Sequence, residues 1–151
     1  MVLEHNDRLV RVGVTSSEAS GTYAVEDAFE LEMPTRVLGL DEAGEWLMMI
    51  ADNEGVDHPV VSRMAMSRSL LGLAFVDDWC ISVRKKKMSQ LLLVHEMAHL
   101  VCANGGHGRE FRTQVVTFVR RYVSLAHAVR LHEMYVAAGL SIEPFAATNS
   151  Y

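Results

Sequence analysis

Ser89-Gln90-Leu91-Leu92-Leu93-Val94-His95-Glu96-Met97-Ala98-His99-Leu100-Val101-Cys102-Ala103, followed by Asn104-Gly105-Gly106-His107, sets polar, chemically active side chains inside an apolar run. Its apolar residues crowd both sides of His95 and His99, which predicts a helix buried in a core. Two histidines four apart project from one face of such a helix, a turn from each other, and suit two bonds to one divalent ion. Burying two imidazoles and a carboxylate without partners would cost about 2–7 kcal/mol for each polar group left unsatisfied. A metal removes that penalty. A structural His/Glu cluster is the plain alternative to a metal site.

Asn104-Gly105-Gly106 tolerates positive φ, so the chain can leave the helix, reverse and bring His107 back beside the ion as third ligand. Glu133, on a later helix, ranks second for that place. The longer HExxHxxGxxH pattern is absent, since Cys102 stands at its glycine and Gly105 at its last histidine. Glu96 follows the first ligand directly. It is the candidate general base for a zinc-bound water, whose pKa the ion lowers from ~15.7 toward ~7.

His95-Glu96-Met97-Ala98-His99, then a glycine-rich turn and His107-Gly108-Arg109-Glu110-Phe111, resembles the SprT-like zincins, with their HExxH followed by HGxxF. It is most similar to a compact actinobacterial and phage-associated branch of metallohydrolases. The likeness extends from about Pro59 to about Gly139, and only the two metal segments are specific. It implies zinc on His95, His99 and His107, Glu96 as base, and Phe111 as an aromatic packed behind the third ligand. It also implies a zincin-like α+β fold: a small, mostly antiparallel sheet on the HExxH helix, with further helices toward the C-terminus. SprT-like proteases of DNA–protein crosslink repair carry a zinc ribbon or another DNA-binding extension, and the sequence shows none.

A chain of 151 residues, half of them hydrophobic, suits one domain spanning 1–151, with an N-terminal arm over about 1–21 and a tail over about 144–151. The net charge of −5 argues against general nucleic-acid binding. Arg84-Lys85-Lys86-Lys87 is a local exception that reads first as a solvated loop and second as a contact for phosphates or an acidic substrate. Cys80 and Cys102 make neither a disulfide framework nor a CxxC pair, and each reads as a small buried residue in a reducing compartment. With no secretory pattern at Met1 to Arg8 and no run near the ~20 apolar residues of a membrane span, the expected location is the cytoplasm.

Leu9 to Val14 alternates like a strand or forms a loose arm, and Thr15 to Gly21 is loop-like in composition. A helix is expected over Tyr23 to Glu32, stopped by Pro34, and another from an Asp41 N-cap to about Asn53. Strands are expected at Val60–Ala65, Leu70–Val76 and Trp79–Val83, with Asp77-Asp78 turning between the last two. Two helices follow, Arg109 to about Tyr122 and Ser124 to about Ala138, with Gly139 as terminator. Phe111, Val115, Phe118, Val119 and Tyr122 give the first of these an apolar stripe. His127 and His132 lie five apart and diverge, as hydrogen-bonded or surface residues would.

The function these residues predict is a zinc metallohydrolase, foremost a metallopeptidase with a peptide or protein substrate. A metal-stabilised binding module and a DNA-associated SprT-like protease guided by Arg84, Lys85, Lys86 and Lys87 are the alternatives.

Overall fold

The computed structural model describes residues 17–102 and 105–145. Along the chain run α1 (Ser17–Glu32), β1 (Val37–Gly39), α2 (Leu40–Glu54), β2 (Val60–Arg63), β3 (Gly72–Phe75), β4 (Cys80–Val83), β5 (Lys87–Ser89), α3 (Gln90–Val101), α4 (Arg109–Tyr122) and α5 (Leu125–Ala137). The class is α+β. The proposed strand over Leu9 to Val14 lies outside the described residues.

The HExxH helix, α3, is the centre. All its residues from Gln90 to Leu100 except Leu92 are buried, and β3, α2, α4 and β5 pack around it. α4 and α5 form an antiparallel pair whose buried faces include Phe111, Val115, Phe118 and Val119 on one and Ala128, Leu131 and Tyr135 on the other. Gly139, at φ 76°, ends α5 as its composition predicts. No helix among the described residues is long and apolar enough to cross a membrane.

Several boundaries differ from expectation. Residues 17–21, which read as loop, are the first turns of α1. Their small side chains let the helix pack closely: a Cβ on Gly21 would come within 3.0 Å of the Leu140 side chain, and Ala19 is buried. Gly39, in extended backbone, caps α2 in place of Asp41, and the Glu42 carboxylate accepts from its N–H at 3.4 Å. Cys80 and Cys102 are half-buried.

The sheet is split and mixed. β3 and β4 form the expected antiparallel hairpin, with Ala74 opposite Ile81, and Trp79 takes φ 52° in the turn after Asp77-Asp78. β2 is shorter than expected and joins β4 in parallel, giving the order β2-β4-β3. β1 and β5, absent from the expectation, make a separate antiparallel pair. Three residues each is too short for alternation to register, and Lys87, read as the end of a loop, opens β5.

Phe29 is fully buried and ties α1 into the core. Phe29→Ala is expected to lower the unfolding free energy by about 3–5 kcal/mol, read from urea denaturation monitored by circular dichroism.

Candidate metal centre

The start of α3 is fixed by residues that satisfy its free N–H groups. Ser89 caps it and accepts from the Leu92 N–H at 3.1 Å. Gln90 N donates to the Arg36 carbonyl at 2.9 Å and Leu91 N to Thr35 Oγ1 at 3.1 Å. The helix so anchored carries His95 and His99 inward, 2% and 7% exposed, with Glu96 fully buried between them in sequence. At its other end Cys102 is extended, and Gly105 and Gly106 take φ 67° and 73°, where other residues would be strained. The chain turns back there, and His107 is buried beside the helix.

The three imidazoles converge. Ring centroids lie 5.0 Å apart for His95 and His99, 5.3 Å for His95 and His107, and 4.8 Å for His99 and His107. One nitrogen from each lies within 4.8 Å of the others, and the Nε2 atoms of His99 and His107 are 3.2 Å apart. A hydrogen bond between those two atoms would use one proton and serve that pair alone, whereas a cation accepts lone pairs from all three rings. A buried set of three imidazole nitrogens fits a divalent ion such as Zn²⁺, and equally Co²⁺, Ni²⁺ or Cu²⁺. The three histidines can therefore hold a metal ion.

Glu133, ranked second as a ligand, lies outside this cluster. It sits on the exposed side of α5, with Arg130 Nη1 at 3.6 Å from its carboxylate. His127 and His132 are likewise elsewhere, bonded to Ser124 and to the Glu143 carbonyl. Burial, then the nearby Glu110, pushes the Cys102 thiol above its ordinary range, and Cys102 lies outside the histidine cluster.

Residues the sequence did not single out complete the site, and most come from α1. Glu26, 6% exposed, places one carboxylate oxygen 2.6 Å from His95 Nδ1 and takes the Tyr135 hydroxyl on the other at 2.7 Å. The neutral ring then carries its proton on Nδ1 and presents Nε2 as the ligand atom. Burial and the adjacent Glu26 push the Tyr135 phenol well above its usual value, which keeps it a donor.

Thr22 and Arg112 hold the third ligand. Thr22 Oγ1 donates to the His107 carbonyl at 3.2 Å, and the fully buried Arg112 guanidinium donates to the same carbonyl and to Thr22 Oγ1. Its remaining donors reach the Ser141 carbonyl at 2.9 Å and Glu18 at 3.4 Å. Glu18, Thr22 and Glu26, four apart, thus form one polar stripe of α1 facing the site. No sequence motif marks that stripe, and only its spacing of four hints at a shared face.

Aromatic rings wall the cluster. Phe111 stacks on His99 at 4.4 Å and meets His95 and His107 edge-on at 4.8 and 5.0 Å. Tyr23 stacks on His95 at 5.5 Å and tilts over His107 at 4.7 Å.

Removing the orienting acceptor should loosen the ligand without deleting it. Glu26→Gln is expected to weaken metal binding about 10–100-fold in a competition titration with a chromophoric chelator, with Tyr135→Phe showing a smaller loss. Unchanged affinity in both variants would remove Glu26 from the site. No protein-family model, curated protein or solved structure matches this chain, so the case for the centre is carried by this geometry.

Proposed function

We propose that this chain is a zinc-dependent metallohydrolase of the SprT-like zincin kind, acting as a peptidase. The observation that carries the proposal is the buried convergence of His95, His99 and His107 with Glu96 on the same helix. A purely structural zinc site closes its coordination with a fourth protein ligand and has no use for a base beside it. Among the described residues, the ligating cluster consists of these three histidines.

His95, His99 and His107 would hold the ion. When bound, zinc supplies Lewis-acid polarisation of a carbonyl and acidifies water at neutral pH. Glu96 accepts the proton of the attacking water and returns it to the leaving nitrogen, the two halves of general acid–base catalysis. Its carboxylate is held against β3, whose first residue is Gly72. A Cβ there would lie 3.4 Å from both Glu96 Cγ and Oε2, and 3.3 Å from the Ser82 carbonyl. A methyl group there would be in contact with the base and tight against the Ser82 carbonyl, and a branched side chain would press on the base. Among the described residues β3 lies at the edge of its sheet with all four residues buried, so extended backbone runs beside Glu96.

Metal content and hydrolysis separate the two roles. Purified His95→Ala, His99→Ala and His107→Ala are expected to lose the metal found in the parent, measured by plasma mass spectrometry, whereas Glu96→Gln keeps it. Glu96→Gln should lower casein hydrolysis about 10²–10⁴-fold. A parent protein that purifies without bound metal and takes none up, or a Glu96→Gln variant with full activity, would sink the proposal. Gly72→Val should retain the metal and lose most activity, because its side chain presses on the base and leaves the ligands alone.

A further inference from the structure

Six of the chain's fourteen cationic side chains, Arg63, Arg68, Arg84, Lys85, Lys86 and Lys87, lie in stretches 59–76 and 79–95, which contain no Asp or Glu. The fold gathers them at one end of the three-stranded sheet. Arg63 closes β2 opposite Val83, and its Nε donates to the Arg84 carbonyl at 3.2 Å. Arg84 is tied to the chain entering β3, through its N–H to the Leu71 carbonyl at 3.0 Å and its Nε to the Leu70 carbonyl at 2.7 Å. Arg68 stands in that same entering segment, and Lys87 opens β5. Arg63, Arg68 and the three lysines are exposed, and among the described residues none of the six is in an ion pair.

This is also the end that meets the metal centre. Gly72, one residue past Leu71, abuts Glu96. A groove of about 70 Å³ beside His95 is lined by Leu71, whose carbonyl accepts from the Arg84 N–H, and by Ser89, two residues past Lys87. Its α1 wall carries Glu26, Asp27 and Glu30, of which Glu26 is committed to His95 and Tyr135, and Glu30 to Thr35. The groove itself is lined by carboxylates and carries no Lys or Arg, so the cations of the sheet end flank it and do not line it.

We infer that the basic sheet end is a docking surface for an acidic polypeptide segment of the substrate, lying beside the bond to be cleaved. The inference rests on the peptidase proposal above and adds a substrate class to it. An acidic peptide is favoured over nucleic acid on two grounds. No Phe, Tyr or Trp lies within 59–74 or 80–95 to stack on bases, and Tyr23 at the neighbouring groove is stacked on His95. The chain's net charge of −5 repels a long polyanion away from this one end, whereas a short acidic segment need meet only the basic residues.

The test uses the metal-treated Glu96→Gln protein, which binds without cleaving, and fluorescence anisotropy of three labelled probes: an alternating Glu/Ala peptide, an alternating Lys/Ala peptide and an oligodeoxythymidine. The Glu/Ala peptide alone should bind, more weakly as salt rises. Combined Lys85→Ala, Lys86→Ala and Lys87→Ala should weaken it about tenfold, as the loss of three exposed ion pairs implies. In the otherwise native enzyme, the same triple variant should raise KM for an acidic substrate and leave kcat unchanged. Tighter binding of the oligonucleotide than of the peptide, or equal peptide binding by the triple variant, overturns the inference. A parent protein that takes up no metal yet binds the Glu/Ala peptide through the lysines would defeat the peptidase proposal and leave the docking surface standing.

Discussion

A twelve-residue helix buried along nearly its whole length cannot carry polar side chains unless its neighbours satisfy them, and α3 carries four: Gln90, His95, Glu96 and His99. That constraint organises the domain. Gln90 is met by the Arg36 backbone and His95 by Glu26, while His99 turns its Nε2 to within 3.2 Å of that of His107 across the glycine turn, where one cation can serve both. Each partner belongs to a different segment, so α1, the β1 approach and the loop before α4 are held in place by the demands of one helix. The apolar residues around it supply the packing energy, and the polar ones dictate which surfaces may face them.

The division between what could be read in the sequence and what could not follows from the range of each interaction. His95, Glu96 and His99 are set by helical periodicity alone. His107 depends on two glycines whose need for positive φ is local chemistry, and both take it. α4, α5 and the β3–β4 hairpin follow from apolar stripes and turn residues within a dozen positions. Glu26, by contrast, meets His95 across 69 residues of chain, and Thr22 meets the His107 carbonyl across 85. Nothing near them in sequence announces a partner. In α1 the small residues that favour close packing also favour loops, so composition reads as loop where the approach of Leu140 to Gly21 requires a small helical residue.

Arg112 shows how much the third ligand depends on such distant contacts. A guanidinium with no exposure is tolerable only if its donors are occupied, and here the acceptors are the His107 and Ser141 carbonyls, Thr22 and Glu18. Two of these lie on α1 and one on the segment after α5. The planar fork therefore joins three parts of the chain at the residue that completes the metal set. A lysine would bring one point charge to the same place and leave most of those acceptors unmet.

Docking of α1 and occupation of the metal centre are consequently one thermodynamic problem. Glu26 orients His95 and Thr22 supports His107 only while α1 lies against α3 and α5. An ion that binds this arrangement more tightly than any with α1 displaced must stabilise the docked helix by the same free energy that docking contributes to its affinity. The Tyr135 hydroxyl on Glu26 extends that coupling to α5, since the carboxylate can serve His95 without strain only when its second oxygen is also satisfied. In physical terms, then, the site is a property of three helices and a turn, although the residues that would touch the ion fall within thirteen consecutive positions.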